Sequence, residues 1–183
     1  MKHRTYYAPH GGHPPQTELL TGRAMFTEAY AVIPKGVMGD IVTSYLPFWE
    51  KTRLWIIARP LSGFAETFSQ YIMEVSPGGG SSKPELDVKA EGVLFVVEGT
   101  IILTLSGKRH EMGPGGYAFI PPSSDWSVRN EDGVAARFHW VRKAYEAVDG
   151  MAMPEAFVTN ENNLAPVAMP GTDGKWATTR FVD

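Results

Sequence analysis

Pro77-Gly78-Gly79-Gly80 opens a stretch that runs to Asn130 and decides how the chain is read. A polar segment leads from it to Glu91-Gly92. The apolar run Val93-Leu94-Phe95-Val96-Val97 follows and closes on Glu98-Gly99. Thr100 to Leu105 has strand composition. Gly113-Pro114-Gly115-Gly116 then leads into Tyr117-Ala118-Phe119-Ile120-Pro121-Pro122 and a tail ending at Asn130. Two hairpins of short strands, punctuated by Gly and Pro, are the signature of an antiparallel barrel or jelly roll.

The stretch resembles the two sequence motifs of the cupin superfamily. The first is Gly-x5-His-x-His-x3,4-Glu-x6-Gly. Anchored on Gly99, its glutamate position falls on Gly92 and its two histidine positions fall at or near Leu86 and Val88. The second is Gly-x5-Pro-x-Gly-x2-His-x3-Asn. Gly115, Pro121 and Asn130 match it, Ser123 replaces its glycine, and Trp126 stands at its histidine. Residues two apart on a strand point the same way, so a His-x-His pair would place two imidazoles inside a barrel. A third imidazole and a carboxylate would complete a site for Mn or Fe with open positions for substrate. Leu86, Val88, Gly92 and Trp126 supply no such donor, so the barrel is expected to be metal-free. A register shifted by one residue would offer Glu85, Asp87 and Glu91 instead. The plainer expectation is that these acids, with Lys83 and Lys89, form a solvated loop.

Size and composition fit one domain with additional segments: 183 residues, 43% hydrophobic and 20% charged. A net charge of -3 without a basic run argues against nucleic acid or an anionic membrane as partner. With no cysteine there is no disulfide or thiol chemistry. No apolar run approaches the roughly 20 residues of a membrane span. The N-terminal residues lack the apolar centre of a signal peptide, so a cytoplasmic location is the default expectation.

Residues 1–22 read as a polar, turn-rich arm containing His10-Gly11-Gly12-His13-Pro14-Pro15. The barrel is expected over residues 23–145. Strands are predicted over Phe26 to Ile33, Ile41 to Leu46, Leu54 to Ala58 and Thr67 to Val75, with Tyr71, Met73 and Val75 facing the core. Val93 to Val97 is apolar on both faces and is predicted to be fully covered. Val134 to Tyr145 is another strand, with Ala136, Phe138 and Trp140 on one side and Arg137, His139 and Val141 on the other. Arg137 and His139 are candidates to face a pocket, as are Glu91 and Arg129. Residues 146–170 read as a linker. Residues 171–183 have strand composition again and are expected to begin a second domain.

The whole chain is similar to the N-terminal part of two-cupin proteins of the (S)-ureidoglycine aminohydrolase type, some described as glyoxylate-induced proteins. The resemblance is carried by Arg23-Ala24, Ala31-Val32-Ile33-Pro34, Leu46-Pro47, Gly92 to Gly99, Gly116 to Pro122 and Met169-Pro170-Gly171-Thr172-Asp173-Gly174-Lys175-Trp176. It implies an all-β cupin barrel without metal, followed by a second cupin that holds Mn²⁺ through a Glu, two His and a Gln. It further implies release of ammonia from ureidoglycine to give ureidoglycolate, in purine catabolism. None of those ligands maps onto this chain, so no catalytic, cofactor or metal residue is expected within it, and the chain alone is expected to be inactive. The first barrel would have a structural and assembly role, packing on the second cupin domain and in a homo-oligomer, with Phe48, Trp49, Trp55 and Trp140 as candidates for the packed face. Two alternatives stay open. One is a metal-free cupin that binds a small polar ligand through Arg137, His139, Glu91 and Arg129. The other is a metalloenzyme using Glu85, Asp87, Glu91 and His139.

Overall fold

The computed structural model describes residues 25–26, 30–33, 44–60, 67–171 and 173–181. The predicted arm, including His10 and His13, lies outside the described residues, as does the first half of the strand predicted over Ile41 to Leu46. In chain order the strands are β1 (Met25–Phe26), β2 (Ala31–Val32), β3 (Glu50–Ala58), β4 (Phe68–Ser81), β5 (Ala90–Glu98), β6 (Ile101–Leu105), β7 (Lys108–Met112), β8 (Gly116–Ile120), β9 (Trp126–Arg129), β10 (Ala136–Ala144), β11 (Phe157–Asn160), β12 (Val167–Ala168) and β13 (Ala177–Thr178). Among the described residues the one helical element is a short 3-10 turn at Glu161–Asn163. The predicted all-β class holds.

Nine strands make one sheet in the order β11-β8-β5-β10-β4-β9-β6-β7, with β3 on β4 as well, and every pairing is antiparallel. The sheet curls into a nearly closed barrel because β4 serves two neighbours. Its first part, Phe68 to Val75, pairs with β10, and its end, Gly80 and Ser81, pairs with β9. The strand predicted to end at Val75 runs on through Pro77-Gly78-Gly79-Gly80 to Ser81. Glycine makes that passage sterically possible: a Cβ on Gly80 would lie 2.0 Å from the Val128 carbonyl oxygen, and one on Gly79 would lie 2.8 Å from that of Glu50. Gly80 also takes φ 135, a region closed to other residues.

Alternation places Thr52, Leu54, Met73, Val75, Leu94, Val96, Ala118, Phe138 and Trp140 inside, where they meet Leu103, Leu105, Trp126 and Val128 from the other half of the barrel. Tyr71 packs against this core as predicted. Asn130, the last residue of the second motif, is 1% exposed. Its Nδ2 donates to the carbonyls of Val75 and Val134, and its Oδ1 accepts from Asp132 N, which ties the ends of β4, β9 and β10 together.

Two regions differ from the sequence reading. The stretch read as a linker contains β11, which extends the sheet by pairing with β8. The outer face of β5 is covered only in part, since Val93 and Phe95 are half-buried. On that face Phe181 stacks on Tyr117 with ring centroids 4.3 Å apart and meets Phe95 edge-on. Tyr117 and Phe119 in turn stack with Phe157.

Candidate functional site

The motif positions define one mouth of the barrel. Ser82 to Lys89 forms a loop that turns on its own side chains: Glu85 Oε1 accepts from the backbone N–H of Leu86 and Asp87, and Asp87 Oδ1 accepts from Lys89 N. Leu86 and Val88 lie on this loop, 49% and 69% exposed, and not on a barrel strand. They still line one cavity of about 270 Å³ with Trp126. Three of the four ligand positions therefore gather at one place without a donor set among them. Gly92 lies deeper, where a Cβ would sit 3.2 Å from Trp140 Nε1.

The interior beneath is filled by rings. Trp140 contacts Trp49, Tyr71 and Trp126 with centroid separations of 5.8, 5.7 and 5.8 Å, and Trp49 also leans on Phe138 at 6.4 Å. Trp49 Nε1 donates to the Pro84 carbonyl and so pins the loop to the core. Trp49 and Trp140 are thus core residues, which corrects their expected place on a packed outer face. Phe48 is exposed, and Trp55 is buried on the outer face with Arg53 5.0 Å from its ring.

The candidate polar residues do not converge. Glu85 is half-buried and paired, whereas Lys83, Asp87 and Lys89 are exposed as expected of a solvated loop. Its carboxylate takes Arg142 through Nε at 2.6 Å and Nη2 at 2.7 Å. Glu91 is on the outer face opposite Lys143, at 3.7 Å. Arg129, on the outer side of β9, reaches Glu50 at 3.3 Å. Arg137 and His139 face outward from β10, not into an interior pocket. Arg137 bridges Glu74 and Glu98, each at 2.6 Å, and Glu74 also holds Arg53 at 2.6 Å. Burial acts to raise the pKa of Glu74, but hydrogen bonds and charge from Arg53 and Arg137 outweigh it and hold the carboxyl below its ordinary value. His139 Nδ1 lies 3.3 Å from Gln70 Nε2, and burial lowers its pKa. Glu85, Asp87, Glu91 and His139 therefore sit on different faces. Among the described residues no three His, Cys, Asp or Glu side chains come together as a metal would require. The residues at this mouth do not fit Mn²⁺.

Residues 71–142 match the family model of the cupin domain, Cupin_2. The barrel has the cupin fold. The chain is 25% identical over 158 residues to the (S)-ureidoglycine aminohydrolase of Escherichia coli (strain K12), covering 85% of this chain and 58% of the relative. It is 67% identical to a candidate glyoxylate-induced protein of Pseudomonas aeruginosa, whose crystal structure superposes with a TM-score of 0.83 over 98% of this chain and 65% of that one. The crystal structure of YlbA from E. coli matches the fold at 24% identity and a TM-score of 0.71, over 85% of this chain and 62% of that one. The chain is thus similar to the proteins that its sequence resembles, and spans about three-fifths of their length.

Sequence reasoning missed the Arg53–Glu74–Arg137–Glu98 chain and the partner of Glu85. Period-two alternation put Glu74 on the face opposite Met73 and Arg137 on the face opposite Trp140. Only the register, Arg137 opposite Glu74 and Arg53 opposite Glu74, shows that those faces are one.

Proposed function

We propose that this cupin is the non-catalytic first barrel of a Mn-dependent (S)-ureidoglycine aminohydrolase, a protein that converts ureidoglycine and water to ureidoglycolate and ammonia. The supporting observation is the aromatic filling of the barrel: Trp49, Trp126, Phe138 and Trp140 occupy the interior where a cupin would hold its metal. Similarity to a relative of that name supports the substrate, and the greater length of the relatives leaves room for a second barrel to carry the Mn²⁺. The role of this barrel is packing and assembly. Its outer face offers Phe95, Tyr117, Phe119 and Phe157, aromatic groups suited to burial against another domain or another copy. These replace the interior Trp49 and Trp140 as the packed surface. The small polar substrate would then be handled by the second barrel, in a cytoplasmic homo-oligomer. No helix among the described residues is long and apolar enough to cross a membrane.

The experiment is an ammonia-release assay on ureidoglycine with Mn²⁺ present. This chain alone is expected to be inactive, and the chain joined to the remaining length of its relatives active. Turnover by this chain alone would overturn the reading.

A further inference from the structure

Beyond β11 the chain leaves the barrel and comes back to it at Phe181. Every described residue from 165 to 180 is exposed, and within that segment β12 and β13 pair with each other. Phe181 then lays its ring flat on Tyr117, with centroids 4.3 Å apart and planes at 6°, and meets Phe95 edge-on at 6.0 Å. Burial raises the pKa of the Tyr117 phenol, in keeping with a ring that is covered. A segment exposed along its length and seated by one half-buried side chain belongs to the low-stability end of a fold.

The surface under that ring has the anatomy of an interface. Register sets Phe95 opposite Tyr117, Val93 opposite Phe119, and Phe119 opposite Phe157, so five apolar groups from three adjacent strands adjoin. All five are half-buried. Ion pairs border them along the strands. Arg53 and Arg137 meet Glu74 and Glu98 at one end, and Lys143 meets Glu91 at the other. An apolar centre with a polar rim is the pattern of a protein–protein contact. Each end of the rim holds equal numbers of both signs, so an identical face brings no excess of like charge against it. A neutral rim selects a second copy of this chain over a strongly acidic or basic partner. We infer that Phe181 is a removable cap on this face, and that the uncapped face pairs with the same face of a second copy. The inference rests on the assembly role proposed above for its surface. Its test reads association alone, so it can fail while the ammonia-release result stands.

The test is sedimentation velocity over a range of concentrations, comparing the parent chain with Phe181→Ala. Phe181 follows the last strand, and circular dichroism checks that the variant keeps the barrel. The parent chain is expected to hold one mass throughout. Phe181→Ala is expected to move to twice that mass as concentration rises. Adding Phe119→Asp, which sets a carboxylate in the middle of the face, is expected to return the variant to the parent mass. If that double variant does not fold, Phe157→Asp on the edge strand β11 takes its place with the same expectation. An excess of a synthetic peptide of residues 173–183 is expected to reverse the association of Phe181→Ala by refilling the site. Equal masses for parent and Phe181→Ala at every concentration would overturn the inference. So would a doubled mass that survives the folded Asp variant or the peptide.

Discussion

Trp126 meets Trp140 edge to face inside the barrel, with ring centroids 5.8 Å apart and planes at 79°. Trp126 stands where the second cupin motif has a histidine, and its ring is spent on packing. Trp126→His is therefore expected to remove core contacts without creating a metal site, since Leu86 and Val88 are on an exposed loop. Loss of a buried Trp side chain costs about 3–5 kcal/mol when truncated fully, and the smaller imidazole recovers part of this. Urea unfolding should show the loss, and a Mn²⁺ titration followed by electron paramagnetic resonance should show no gain in binding.

Asn130 carries the opposite lesson, because its motif position keeps its residue and its work is structural. Asn130→Ala would strand the carbonyls of Val75 and Val134, both accepting from Nδ2 at 2.8 Å. Each buried group left unpaired costs about 1–3 kcal/mol. Thermal unfolding should fall markedly, with Asn130→Asp also impaired because a carboxylate cannot donate to either carbonyl.

Glu74 sets an acid limit. Its folded pKa lies below the ordinary 4.5, so the unfolded chain takes up the proton first as pH drops. The stability from its pairs with Arg53 and Arg137 is complete above about 4.5 and is lost as pH falls through the folded value. Glu74→Gln should cost about 1–3 kcal/mol at neutral pH, the range of charged hydrogen bonds, with the half-exposed Arg53 placing it toward the lower end. The variant should also show a shallower decline of stability in acid, read from unfolding curves between neutral pH and pH 3.

His139 acts at a higher pH. Burial lowers its pKa from 6.5, so the neutral imidazole is the folded form. The unfolded chain binds the proton first, and stability therefore falls as pH drops below about 6.5 until the folded value is reached. His139→Gln should flatten the stability profile in that window while leaving the one assigned to Glu74. An unchanged profile would rule out His139 as its source.

The frame of the fold was legible in the sequence. Gly99, Gly115, Pro121 and Asn130 mark the turns and the tie between strands, and alternation set Tyr71, Met73 and Val75 toward the core and grouped Ala136, Phe138 and Trp140 on one face. What escaped reading was whatever depends on register or on distant partners. Gly79 and Gly80 lie beyond the predicted end of their strand until the neighbouring strands are known to press on them. Trp49 and Trp140 read as candidates for a face packed on another domain until the barrel closes around them. Glu85 looks solvated until Arg142 arrives from 57 residues away. The absent ligand set was visible residue by residue, whereas the aromatic cluster that occupies the space was not.

Metal content tests the central claim most directly. The purified chain would be incubated with excess Mn²⁺, passed through gel filtration and analysed by inductively coupled plasma mass spectrometry. A barrel packed by Trp49, Trp126, Phe138 and Trp140 predicts far less than one metal ion per chain. One tightly held Mn, Fe or Zn ion per chain would contradict it.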